Sequence, residues 1–363
     1  MRPRAELDGL SPTVHGGAPS AAGALLDFSV STNPLGPSPR ALAAAAGAAI
    51  GRYPERDSAT LRRALAASMD VSPEQIVVSN GSVELFWLLA LCYLRSGDRA
   101  LVVGPTFAEY ARAAHVLGAR VTELAASAEE HFRPNVDRIC RAAHDEQPRL
   151  VFLCNPNNPT GVYLDRYSVE RVLATTPGLL VLDEAYVGFV EVPWDVRPLL
   201  ADPRLVVARS MTKDHGLPGL RLGYALAAPP VAAALRSAQP PWSVNAIAQA
   251  AGLAALQEPR HAARGRALAR EATALLAAGL SELGFDPLPS AANFLLVDVG
   301  DAAAVCQRFL ARGIFVRDCT SFGLPRHIRI SARPLDECEV LLDAAGALPA
   351  PARVGVAAPG SPA

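Results

Sequence analysis

Lys213 is the only lysine of the chain; the other 33 of its 34 basic residues are arginines. An arginine stays protonated and cannot act as a nucleophile near neutral pH. A lysine amine that is partly desolvated can lose its proton and condense with a carbonyl. A chain that uses arginine wherever a positive charge suffices, and keeps one primary amine, points to Schiff-base chemistry at that amine. The context agrees. Lys213 closes Ser210-Met211-Thr212-Lys213 behind the apolar run Leu205 to Ala208, and Arg221 follows eight residues on. A stray lysine in an arginine-rich composition would leave that context unexplained.

Three further clusters follow apolar runs. Asp183 ends one of them, in Leu182-Asp183-Glu184-Ala185-Tyr186. A carboxylate at the end of a buried strand needs a partner, and a protonated pyridine nitrogen supplies one. Asn155-Pro156-Asn157-Asn158-Pro159-Thr160-Gly161 follows another. Asn, Pro and Gly build turns for backbone reasons, yet the length of this turn and its place after a strand make Asn158 a candidate to touch a ligand. Asn80-Gly81-Ser82-Val83-Glu84 marks a strand passing into a helix, where the first backbone amides can bind phosphate. Together these groups describe a site for pyridoxal 5'-phosphate. The aldehyde goes to Lys213, the ring nitrogen to Asp183, and the phosphate to Ser82, Val83, Ser210 and Arg221.

The elements that must position these groups are legible as alternating runs. Residues 75–79, 100–103, 150–154, 179–182, 205–208 and 221–227 read as strands, most of them continuous and apolar as buried parallel strands are. Helical stretches at 82–94 and 166–174 separate several of them, the pattern of a doubly wound α/β sheet. After Pro241 come Ala/Leu-rich helices near 245–256 and 266–283. Strands at 293–299, 314–317 and 327–331, with helices near 302–312 and 335–345, predict a smaller α+β domain. The expected division is an N-terminal segment 1–50 packing with the small domain, a large domain 51–283, a small domain 284–348 and a disordered tail 349–363.

Composition narrows the function classes. A net charge of −1 gives no case for nucleic acid or an anionic membrane. The six cysteines are scattered without close pairs, which predicts no metal site and fits a reducing compartment. The N-terminus lacks the apolar stretch of a signal peptide, and the run Leu85–Leu94 is too short to span a bilayer. A cytoplasmic enzyme is expected. A DNA-binding regulator is not, because no basic domain is read ahead of the fold.

From about His15 to Ala345 the chain resembles the fold-type I, pyridoxal-phosphate-dependent family of class I/II aminotransferases. Asn158-Pro-Thr-Gly161, Asp183-x-x-Tyr186 and Ser210-x-x-Lys213-x7-Arg221, in that order, carry the resemblance. It implies a mostly parallel doubly wound sheet in a large domain plus a smaller α+β domain. It implies that Phe107 stacks on the pyridine ring and that Asn158 and Tyr186 hydrogen-bond its phenolic oxygen. Tyr53 would reach the cofactor phosphate of the other subunit of a homodimer. Arg329 would take the substrate carboxylate, and Arg317 a substrate phosphate or carboxylate.

Two branches of the family handle phosphorylated substrates. His15-Gly16-Gly17, Asn33-Pro34-Leu35-Gly36 and Pro241-Trp242-Ser243-Val244-Asn245 resemble threonine-phosphate decarboxylases of cobalamin synthesis, and they add His15 and Asn33 to the substrate site. Tyr186, where those enzymes usually carry Phe, together with Ser31, Ala18 and Asp214-His215, departs towards the histidinol-phosphate aminotransferases. The expectation is an aminotransferase that moves an amino group between a small phosphorylated amino compound and a 2-oxo acid. The alternative is a decarboxylase that releases aminopropanol phosphate.

Overall fold

The computed structural model describes residues 4–8, 10, 13, 16, 17 and 25–348. The chain enters through β1 (Leu26–Asp27), α1 (Pro39–Ala46) and α2 (Ala59–Met69). Strands and helices then alternate as β2 (Ile76–Asn80), α3 (Ser82–Tyr93), β3 (Arg99–Gly104), α4 (Glu109–Val116), β4 (Arg120–Ala125) and α5 (Val136–Glu146). They continue as β5 (Leu150–Cys154), α6 (Arg166–Thr175), β6 (Leu179–Asp183), β7 (Leu205–Ser210) and β8 (Leu222–Ala227). The seven strands from β2 to β8 form one sheet in the order β2-β8-β7-β6-β5-β3-β4. All neighbours are parallel except β8, which runs antiparallel to both β2 and β7. This is the mostly parallel α/β sheet that the apolar runs imply.

The runs are continuous because both faces of the sheet are covered. On one face Leu61 and Leu65 of α2, Ile139 of α5 and Val172 of α6 pack on the sheet. On the other, Leu85 and Leu89 of α3 and Tyr110 of α4 do so. Helix starts are set by side chains that satisfy free backbone donors. Asp165 accepts the Ser168 N–H at 2.8 Å to open α6. β4 went unassigned in the sequence because it is an edge strand, Arg-Val-Thr-Glu-Leu-Ala, with no continuous apolar run and partly exposed along its length.

The second half adds α7 (Pro229–Ala238), α8 (Ala246–Leu256), α9 (Pro259–Glu282), β9 (Asp286–Pro287), β10 (Phe294–Asp298), α10 (Ala302–Leu310), β11 (Ile314–Phe315), β12 (Arg317–Asp318), β13 (His327–Ser331) and α11 (Leu335–Gly346). Asn245 accepts the Ala248 N–H at 2.8 Å and caps α8. An antiparallel sheet runs β12-β13-β10-β9. The single strand expected over 314–317 is two strands. β11 pairs parallel with β1, and β12 pairs antiparallel with β13.

Two expected boundaries shift. Residues 26–27 join the small domain through β1, whereas α1 packs on α8. The second half of α9 shares its apolar core with the small domain through Ala272, Leu276 and Leu280, because one continuous helix links the two. The tail 349–363, expected to be disordered, lies outside the described residues. Among the described residues no helix is long and apolar enough to cross a membrane.

Candidate active site

The C-terminal ends of β2, β3, β5, β6 and β7 open on one cavity of about 710 Å³. Doubly wound sheets build their sites at this edge. Val83, Phe107, Asn158, Tyr186, Lys213 and Arg221 line it from the large domain. Arg317 and Arg329 close it from the small domain. Eight of the candidate residues, scattered over nearly 250 positions, thus share one space.

The lysine loop is held from beneath. Asn33 donates from Nδ2 to the Asp214 carbonyl at 2.9 Å, and its backbone N–H meets the Lys213 carbonyl at 2.8 Å. The structure therefore places Asn33 under the lysine, spent on backbone, rather than in the cavity wall where a substrate contact was expected. The Lys213 amine lies 5.3 Å over the Tyr186 ring. No hydrogen bond or ion pair among the described residues engages that amine. The loop after β5 divides its asparagines by task. Asn155 bonds both backbone groups of Leu164, and Asn157 bonds Pro105 and Thr160. Asn158 alone of the three lines the cavity.

Behind the wall, Asp183 is 5 % exposed. Burial pushes its carboxyl up to about 6, against hydrogen bonds from Tyr110 and the Ala185 N–H and the charge of Lys213. Ser82 begins α3, and Gly223 allows the close approach there: a Cβ on Gly223 would lie 2.4 Å from the Ser82 nitrogen. Gly81 takes a φ of +74°, and a Cβ on it would meet Arg221 Nη2 at 2.8 Å. A helix N-terminus and a guanidinium therefore converge on one point. Ser210 is turned to Thr212, oxygen to oxygen at 2.7 Å.

Arg317 and Arg329 stand directly opposite each other on β12 and β13. Each is 6 % exposed. Arg329 donates to the Asn158 side chain and to the Ser29 carbonyl, the latter at 2.7 Å. Its Nε is buried with no hydrogen-bond partner among the described residues. Arg317 donates to Ser321 Oγ at 2.7 Å. Burial and then the neighbouring Arg329 pull the Arg317 guanidinium below its ordinary range. Like charges opposite one another in a sheet are destabilising. A buried pair of this kind is what an anion would neutralise.

Asn33, Ser82, Asp183, Ser210 and Tyr53 are not among the residues that line the cavity. Tyr53 is 77 % exposed at the surface, stacked on Trp242 at 4.5 Å. His15, and Ala18 beside it, lie outside the described residues. The sequence reading missed Tyr110, whose hydroxyl donates to Asp183 Oδ2 at 2.5 Å. It also missed the pair of buried Glu184 with part-buried Arg209 at 2.7 Å, one residue from Asp183 and one from Ser210. An acidic residue beside Asp183, and an arginine inside an apolar strand, were the available signals.

The donor set fits pyridoxal phosphate. A buried carboxylate that accepts hydrogen bonds from Tyr110 and the Ala185 N–H suits a protonated ring nitrogen. A lysine amine with no polar partner among the described residues suits an aldehyde. A helix N-terminus meeting Arg221 suits a phosphate.

The family described as aminotransferase class I and II matches residues 24–344. Over 315 residues the chain is 44% identical to a histidinol-phosphate aminotransferase of Symbiobacterium thermophilum, covering 85% of this chain and 86% of that protein. Over 323 residues it is 38% identical to a histidinol-phosphate aminotransferase of an Anaeromyxobacter species, covering 86% and 88%. Its fold superposes with a TM-score of 0.81 on a crystal structure of histidinol-phosphate aminotransferase from Sinorhizobium meliloti in complex with pyridoxal-5'-phosphate. The identity there is 26%, over 88% of this chain and 89% of that one.

Proposed function

We infer the substrate from a settled premise: this chain belongs to the class I and II aminotransferases. It is a pyridoxal-5'-phosphate-dependent aminotransferase that works on an amino compound and a 2-oxo acid. We propose that the amino donor is phosphorylated, of the histidinol-phosphate kind. The observation that carries this is the buried pair Arg317 and Arg329, opposed across two strands in the cavity wall. Histidinol phosphate carries its negative charge on the phosphate, whereas a 2-oxo acid carries carboxylates. Taken in turn, both would be held by the same two guanidinium groups, each of which can present a planar fork of donors. The relatives named above support the same donor. They do not favour the threonine-phosphate decarboxylase alternative.

The residues divide the chemistry. Bound in this cavity, the cofactor supplies an electron-accepting ring for the carbon that loses its proton. Asp183 holds the ring nitrogen charged. Phe107 would stack on the ring, and Asn158 and Tyr186 would hydrogen-bond its phenolic oxygen. Ser82, Val83, Ser210 and Arg221 hold the phosphate. Lys213 Nζ, near the reacting carbon, accepts the proton and returns it as a general base and acid. Arg329 and Arg317 orient the substrate so that its C–H bond, rather than another bond, is the one broken.

A homodimer completes the proposal. Ile50, Tyr53 and Trp242 leave an exposed apolar surface, and a second copy would cover it while receiving Tyr53 near its cofactor phosphate. His15 and Asn33 remain proposed near the substrate, Asn33 through its hold on the lysine loop.

The test is a donor panel with 2-oxoglutarate as acceptor. We expect kcat/KM for histidinol phosphate to exceed that for histidinol by tenfold or more. Equal values for the two would remove the phosphate from the proposal.

A further inference from the structure

An enclosed carboxylate tends to take up a proton rather than stay charged, yet Asp183 can serve a protonated ring nitrogen only as an anion. The titratable groups that face it come from several elements. Tyr110, on α4, donates to Oδ2 at 2.5 Å. Cys154 is its register partner on β5, and Glu184 follows it in the chain. The Lys213 charge acts on it from beyond β7. The Ala185 N–H donates to Oδ1 at 3.0 Å. Burial is the largest influence on Asp183 and raises its carboxyl; of those that oppose burial, the Tyr110 hydrogen bond is the first.

Tyr110 meets Asp183 through its hydroxyl, with the Cys154 thiol as a second neighbour. It is fully buried. Burial, then the Asp183 charge, hold its phenol protonated far above the ordinary range, so it keeps a proton to donate to the carboxylate. Its ring is stacked on Phe152 at 5.2 Å with a 7° tilt and meets Phe86 edge-on at 4.8 Å. It also backs Phe107 at 5.6 Å. The donor is therefore rigid, and a hydrogen bond to the charged form of an acid favours that form.

We propose that Tyr110 is a positioning residue that keeps Asp183 ionised and aimed at the cofactor's ring nitrogen. This rests on the reading of Asp183 as the ring-nitrogen partner and is independent of which donor the enzyme uses.

The experiment compares the full-length Tyr110→Phe and Phe152→Leu variants with the parent. Phe keeps the ring contacts and removes only the hydroxyl. Leu at 152 loosens the stack and leaves the hydroxyl in place. In the cofactor-free chain the Asp183 carboxyl is titrated by infrared difference, with Asp183→Asn assigning the band. In Tyr110→Phe we expect the midpoint to rise by about one pH unit or more. We expect cofactor binding to be several-fold weaker near neutral pH, and kcat to fall with KM for the donor little changed. Phe152→Leu is expected to leave the midpoint in place. An unmoved midpoint in Tyr110→Phe overturns the proposal whatever happens to kcat. An equal shift in Phe152→Leu overturns it in favour of packing. A wrong donor assignment would leave both the titration and the cofactor affinity intact, so the two failures are distinct.

Discussion

Arg317→Met separates binding of the substrate anion from everything else in the cavity. The parent side chain is almost fully buried, donates to Ser321 and faces Arg329 across the strand pair. Met fills the same length of cavity with no charge. A hydrogen bond to a charged group is worth about 1.5–3 kcal/mol, and a tenfold change corresponds to about 1.4 kcal/mol. Losing this contact to a substrate phosphate should lower kcat/KM for histidinol phosphate roughly ten- to hundred-fold. The same change relieves the repulsion between two buried cations, so the cofactor-free protein should melt no lower than the parent. The assay is the donor half-reaction alone, followed by loss of the visible cofactor band, with histidinol phosphate and with histidinol. It leaves out the oxo acid, whose carboxylates use the same arginines. An equal penalty on both donors would refute the reasoning, as would a clear drop in melting temperature, which would make Arg317 a structural residue.

Arg209→Met should be costly for folding, because it strands the buried Glu184 carboxylate, whose Oε1 already lacks a partner among the described residues. Breaking such a pair costs about 3–5 kcal/mol. Burial already raises the Glu184 carboxyl, and losing Arg209 raises it further. A raised carboxyl binds its proton more tightly folded than unfolded, so the deficit against the parent should shrink as pH falls towards 5 and grow towards 8. Urea unfolding at both pH values checks the sign. Asp183→Asn should still bind the cofactor but lose roughly 10²–10³ in kcat, the scale of other preorganised charges; an unchanged spectrum and rate would remove its role. Lys213→Arg keeps the charge and loses the amine, and turnover should be nearly abolished; comparable cofactor-dependent activity in that variant would remove Lys213 from the chemistry. Arg329→Lys, with its planar fork gone, should impair donor and oxo acid alike, measured as separate half-reactions. Tyr53→Ala mixed with an inactive Lys213→Ala chain should show, by partial complementation, whether Tyr53 acts across a subunit boundary; no activity change in the mixture would speak against it.

The floor of the site was legible because its residues follow short apolar runs. Lys213 and Asp183 each close such a run, and a buried polar residue at a strand end stands out. Phe107, Tyr186 and the two arginines needed the family resemblance, since an aromatic residue or an arginine between apolar neighbours reads equally well as packing. Tyr110 was missed because α4, Glu-Tyr-Ala-Arg-Ala-Ala-His-Val, is a short helix with a weak apolar pattern, and its contact to Asp183 spans 73 positions. The Glu184–Arg209 pair was missed because strand register, which sets β6 beside β7, cannot be read from either strand alone. Asn33 was read as a substrate contact from its motif, but only the folded chain shows it bonded beneath the lysine loop. The split of 314–317 into two strands has the same origin. Ile314 to Val316 run without a break into Arg317, and only the partners, β1 and β13, distinguish the two halves.

Amino transfer from a phosphorylated donor is tested most directly by stoichiometry. The holoenzyme is mixed with excess histidinol phosphate and no oxo acid, and product and carbon dioxide are measured per active site. The account predicts one equivalent of oxidised donor, loss of the visible cofactor band, and then arrest. Turnover should resume on addition of 2-oxoglutarate, with one glutamate formed per donor consumed. Continued turnover without an oxo acid, or stoichiometric carbon dioxide from O-phosphothreonine under the same conditions, would contradict it.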